Sequence, residues 1–172
     1  MITPVLGSLD AATCHAQVQR LLDEEIHWLT RLETQLLAEH ALLVADDIDG
    51  LDAAGGARQA SVVQLLRLEE ERGALCRMLG HDADAPGVRR MLEWCDPQGL
   101  LAARVQECAA RSGRCREQNL RNGMLVNARL QRISQMLGIV GGDGGNRSRT
   151  YGPAGYDSTA PLKAGRFVST MA

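Results

Sequence analysis

The sequence predicts an all-α fold: an elongated antiparallel bundle of three long helices, with a short extra helix and a flexible C-terminal tail. Three observations carry that prediction. Apolar residues recur at gaps of three and four over long stretches. Leu, Ala, Arg, Glu and Gln dominate the middle of the chain, which is the composition of helices rather than sheets. Aromatic residues make up only 3% of the 172, so the core must be aliphatic. The expected division is a helical bundle over 1–137 and a Gly-rich flexible tail with a recognition segment over 138–172.

Thr3-Pro4 or Ser8-Leu9-Asp10 can open the first helix, since Pro suits the first helical position and Ser or Asp the cap. From about 10 to 45, Val18, Leu21, Leu22, Trp28, Leu29, Leu32, Leu36, Leu42 and Leu43 fall on one stripe. Asp46-Asp47-Ile48-Asp49-Gly50 breaks the pattern, with Asp49 as the expected cap of the next helix and Asp52 in its first turn. This acidic run is not a calcium loop. With Gly50 at the obligatory glycine, Ala45 and Gly56 fall where Asp and Glu are required.

The second helix is expected over about 51–79, with Leu51, Ala54, Val62, Leu65, Leu66, Leu68, Leu75, Met78 and Leu79 as its stripe and Gly80 as its stop. After a loop punctuated by Pro86-Gly87, Val88 to Cys95 predicts a short helix with Met91, Leu92 and Trp94 turned inward. Asp96-Pro97 reads as a cap followed by Pro, opening a last long helix that ends at Leu137 before Gly138. Its seam is Leu101, Val105, Cys108, Ser112, Cys115, Asn119, Asn122, Val126, Ile133 and Leu137, a near-heptad with polar interruptions. A seam asparagine sets register between helices or contacts a partner helix, and both readings are open here.

Beyond Gly138 the character changes. Gly141-Gly142-Asp143-Gly144-Gly145 is a hinge and not a phosphate loop, because no Gly-Lys-Ser/Thr follows. Tyr151, Tyr156 and Phe167 are three of the five aromatic residues. They suggest either incidental tail aromatics or a short recognition segment that folds on a partner.

Charge and chemistry exclude several classes. The net charge is −2; Arg147, Arg149, Lys163 and Arg166 against Asp143 and Asp157 give the segment from Gly138 a charge of +2, leaving −4 on the body. An acidic body does not suit nucleic acid. The five cysteines form no CxxC pair and read as small buried hydrophobes in a reducing compartment. With no basic leader and no apolar run near the roughly 20 residues of a membrane span, a cytoplasmic location without membrane insertion is expected. No GxSxG, HExxH or dinucleotide fingerprint occurs, and the four histidines share no ligand spacing. Glu24-x-x-His27 is the one pair of the kind that di-metal helical enzymes use, and such sites need several. No enzymatic activity, metal or cofactor is expected.

Taken in order, these segments resemble the FlgN family of flagellar export chaperones. The residues that carry the resemblance are Leu21-x-x-Glu24-x-x-x-Trp28-Leu29-x-x-Leu32, then Leu68-Glu69-x-x-Arg72 with the Leu79-Gly80 ending, then Asn119-x-x-Asn122-Gly123-x-Leu125, then Tyr151-Gly152-x-x-Gly155. It covers Val18 to Gly155; Arg58 stands where the family leads one to expect a lysine, and Asp157 to Ala172 has no counterpart. The resemblance implies a chaperone that binds the C-terminal helical segments of hook-associated (hook–filament junction) proteins, keeps them unassembled and delivers them to the export gate. It implies client contacts at Asn119, Asn122, Leu125, Val126, Ile133 and Leu137. It implies contact with the cytoplasmic domain of the export gate at Tyr151, Gly152 and Gly155. Tyr156, Phe167 and Val168 are further tail contacts in this reading, and Phe167 and Val168 either add to the client surface or fold back over an empty groove. The competing reading is a structural coiled-coil or adaptor protein that uses the same stripes for a permanent assembly.

Overall fold

The computed structural model describes residues 9–140. These form four helices: α1 (Ala11–Ala45), α2 (Ile48–Met78), α3 (Ala85–Cys95) and α4 (Ala102–Val140). Among the described residues there is no strand. The tail positions Tyr151, Gly152, Gly155, Tyr156, Phe167 and Val168 lie outside them.

Each boundary has a local cause. Asp10 caps α1 by accepting from the Thr13 N–H at 2.7 Å. Asp46 ends α1 in the left-handed conformation at φ 63°, which Asp tolerates better than most side chains. The chain turns at once into α2, so the cap of α2 is Asp47, whose carboxylate accepts from the Gly50 N–H at 2.9 Å. The expected cap, Asp49, instead sits in the first turn, where its charge meets the positive helix end. Gly80, at φ 77°, terminates α2 as expected.

α3 begins three residues before Val88, because Asp84 caps it through the Gly87 N–H at 2.8 Å and Pro86 fits its first turn. Val88, Met91 and Cys95 are its buried residues, whereas Trp94, expected inward, is exposed. Asp96 does not cap the long helix directly. It closes a turn by accepting from Leu100 N at 2.9 Å and Leu101 N at 2.8 Å, and α4 starts beyond that turn. Nor does Gly138 stop α4, which runs through to Val140.

α1 is the central element. It packs on α2 along one side and on α4 along another, while the backbones of α2 and α4 do not approach each other. The pairing directions follow from the contacts. Gln35 meets Ser61, and Glu25 meets Arg72, so α1 and α2 run antiparallel. Leu22 meets Cys108, and Leu36 meets Asn122, so α1 and α4 run parallel. The core is aliphatic and sulfur-rich: Val18, Leu21, Leu22, Leu29, Leu36, Leu65, Leu68, Leu75, Val88, Met91 and Leu101, with all five cysteines buried and free. α3 closes the lower end against α1 and α2.

Candidate functional site

The α1–α4 seam has a fixed register. Cys108 donates its thiol to the Leu22 carbonyl at 3.7 Å, and Cys115 donates to that of Leu29 at 3.6 Å. Asn122 donates to the Leu36 carbonyl at 2.9 Å, and Arg129 donates to that of Leu43. All four pairs are separated by 86 residues, and successive pairs are one heptad apart. The leucines at 22, 29, 36 and 43 are buried, so each α4 side chain sits over an α1 carbonyl beside a core leucine.

At Asn122 the seam turns polar. Its Oδ1 accepts from Gln118 at 3.1 Å and lies 3.0 Å from His40 Nδ1, and its Nδ2 also reaches Glu39 at 3.3 Å. Arg58 on α2 lies 3.6 Å from Glu39 and donates to Asn119 Oδ1 at 3.3 Å, which ties α2 into the same layer. Asn122 is buried; Asn119 is exposed. The two asparagines predicted as one site therefore do different things. Asn122 spends its amide inside the seam, and Asn119 stands on a rim. The participation of Gln118, Glu39 and His40 was not evident beforehand, because only the three-dimensional register brings them to Asn122.

Above this layer α4 loses its cover. Arg129 holds it to the end of α1, through Leu43 O and Asp46 at 3.0 Å. By the same offset α1 ends opposite Gln131, so residues 132–140 continue about 13 Å beyond it. Leu125 is half-buried. Val126, Leu130, Ile133 and Leu137 form an exposed stripe at spacings of four, three and four, from 41% exposed at Val126 to 66% at Leu137. Leu130 was missed in the sequence reading, although it falls on the stripe between Val126 and Ile133.

Below the layer, the gap between α2 and α4 is a groove of about 280 Å³ with α1 as its floor. Leu29, Leu32 and Leu36 line the floor, Val62 and Leu65 one wall, and Ser112, Arg116 and Asn119 the other. At its lower end Arg72 donates to Glu25 at 2.6 Å, and both are buried. Elsewhere α1 is laced to its neighbours by exposed and half-buried ion pairs, Arg20 and Arg67 with Glu24 and Glu71, and Arg111 and Arg114 with Glu33. Arg20 and Arg67 hold the Glu24 carboxyl below its usual range.

The buried thiols offer no nucleophile. Burial pushes Cys14 and Cys108 up to about 12 and Cys115 up to about 11, so they remain neutral where a reactive cysteine would be a thiolate. Among the described residues no three or more His, Cys, Asp or Glu side chains are grouped to hold a metal, and Glu24 of the Glu24-x-x-His27 pair is engaged by Arg20 and Arg67. No described helix is long and apolar enough to cross a membrane. What the surface presents is apolar helix face beside arginine, which suits another helix.

A family model described as "FlgN protein" matches residues 15–159. No curated protein matches the chain, and no solved structure does.

Proposed function

The chain belongs to the FlgN family, a family of flagellar export chaperones, and from that premise we propose that it binds the C-terminal helical segments of hook-associated proteins. Such segments are amphipathic helices that would associate prematurely if left bare. Covering them keeps the client unassembled until it is delivered to the export gate. The observation that supports this reading is the exposed stripe Val126, Leu130, Ile133 and Leu137, which runs up α4 onto the end that extends past α1. A contiguous apolar helix face rimmed by polar residues marks an interaction surface more often than a bare monomer surface. Helix-on-helix docking uses this spacing of three and four.

In this reading Leu125 flanks the stripe, Asn119 borders the groove below it, and Asn122 acts from within by fixing how α4 leaves α1. Tyr151, Gly152 and Gly155 are assigned to the export gate, and Tyr156, Phe167 and Val168 remain candidate tail contacts. Replacing Tyr151 by Ala should then spare client affinity and weaken binding to the gate's cytoplasmic domain.

Calorimetry with a synthetic C-terminal helical segment of a hook-associated protein tests the reading. The full chain should bind at about micromolar Kd or tighter, with a negative heat capacity change from apolar burial. The double variant Ile133→Glu/Leu137→Glu should lose at least about tenfold. Absence of binding by the unaltered chain would remove this assignment and leave the permanent-assembly alternative.

A further inference from the structure

The groove and the free end of α4 are two parts of one surface. Ser112, Arg116 and Asn119, which wall the groove, continue through Gly123 into Val126, Leu130, Ile133 and Leu137. The steps are four, three, four, three, four, three and four, so all eight residues lie on a single stripe of α4. From Ser112 to Leu137 that stripe is about 38 Å long. A Cβ built at Gly123 would meet nothing within 4 Å, so the joint between the two parts is open and low.

The lower part is a bundle position left empty. α2 and α4 each pack on α1 but not on each other, leaving Leu32 and Val62 half-buried over a gap of about 280 Å³. That is slightly less than the roughly 300–1,000 Å³ of small-molecule sites, and it is lined along two helical turns rather than closed around a point. A helix lying over it would drop an apolar stripe between the walls and close the seam.

Charge selects the kind of helix. From Gln118 to Val140, α4 carries Arg121, Arg129 and Arg132 and no Asp or Glu. Arg116 and Arg58 stand on opposite walls of the groove. Glu39, Glu117 and Asp46 offset part of this charge, through Arg58, Arg121 and Arg129, and Glu69 also lines the groove, which leaves Arg132 as the cation at the upper end of the track. The described domain is acidic in sum, so an acid-free half-helix is a local departure from its composition.

We propose that one acidic amphipathic helix of the client docks along this whole track, filling the α2–α4 seam with its lower half and covering the free end of α4 with its upper half. The proposal rests on the client-binding reading above and adds the groove, the continuity and the sign of charge. Its glutamates and aspartates would face the arginines on either side, and its apolar stripe would follow the α4 stripe.

Three single substitutions in the full chain test it, each titrated with the same hook-associated segment. Val62→Glu alters only the groove, Ile133→Glu only the free end, and Gly123→Glu only the joint. Glu is a better helix former than Gly, so the last variant should fold at least as well as the parent, and circular dichroism confirms this for all three. Each should weaken binding at least about tenfold, and affinity should fall as salt is raised. If Val62→Glu binds like the parent while Ile133→Glu does not, the helix sits on the free end alone; the proposal fails and the chaperone reading stands. If affinity is indifferent to salt, the acidic character is wrong. If the parent chain does not bind the segment, the chaperone reading fails and takes this proposal with it.

Discussion

Asn122 on α4 donates its side-chain amide to the backbone carbonyl of Leu36 on α1, 2.9 Å away across 86 residues of sequence. The same amide group also faces Gln118, Glu39 and His40, so one buried residue organises a polar layer where the closed seam gives way to the free end. Asn122→Ala would strand Gln118 and His40 without their acceptor. The expected loss is about 1–3 kcal/mol, less the few tenths that Ala gains as a helix former. Urea unfolding measures it directly. A midpoint unchanged from the parent would mean that the layer is supplied equally well by water.

Glu25 and Arg72 form a buried ion pair between α1 and α2, at 2.6 Å and with both side chains largely out of water. Breaking such a pair leaves one uncompensated charge in the core. Arg72→Met alone should cost about 3–5 kcal/mol. Glu25→Leu with Arg72→Met should recover most of that, because two desolvated charges are exchanged for packing. A double-mutant cycle in denaturant distinguishes this from simple loss of volume, in which case the two costs would add.

The helices were legible because the leucine stripe of α1 and the seam of α4 obey a strong period, and because Gly80 and Asp10 are ordinary stop and start residues. Boundaries failed where two acidic caps competed. Asp47 outranked Asp49, since Asp46 could take the left-handed turn itself, and Asp96 closed a turn instead of opening α4. Trp94 was misplaced because size suggests burial, whereas an eleven-residue helix buries only the Val88, Met91 and Cys95 face. At the candidate site, Ile133 and Leu137 were legible as apolar, but their exposure was not. Exposure depends on α1 stopping at Ala45 while α4 continues, a mismatch of lengths that no local pattern records. The empty α2–α4 seam was hidden for the same reason, since periodicity gives faces and not partners.

Two glycines should respond oppositely to the same substitution. A Cβ at Gly87 would lie 1.8 Å from the Asp82 carbonyl oxygen, inside the turn that leads into α3. Gly87→Ala must therefore push the backbone apart and should cost at least about 1–3 kcal/mol. At Gly123 the added methyl meets nothing, and Gly123→Ala should stabilise α4 by up to about 1 kcal/mol. Thermal melts of the two variants should move in opposite directions.

Alkaline pH should destabilise the bundle through its thiols. Cys14 and Cys108 are raised from an ordinary 9.0 to about 12, and Cys115 to about 11, chiefly because burial opposes the thiolate. In the unfolded chain these groups lose their protons near 9, while in the folded chain they keep them. Over that interval the unfolded state binds fewer protons, so stability falls as pH rises; it is fully present below 9 and lost through the folded values. The slope is up to about 1.4 kcal/mol per pH unit for each such thiol. Burial raises Cys76 and Cys95 as well, and they add to the same limb. Urea midpoints at pH 8 and above should therefore fall steeply for the parent and less steeply for Cys108→Ala, with the difference growing with pH. A neutral thiol reagent should label none of the five cysteines in the folded protein at pH 8 and all five after denaturation. Rapid native labelling of Cys108 or Cys115 would mean that the α1–α4 seam opens readily, and the register read from their bonds to Leu22 and Leu29 would then describe only one of the states the seam visits.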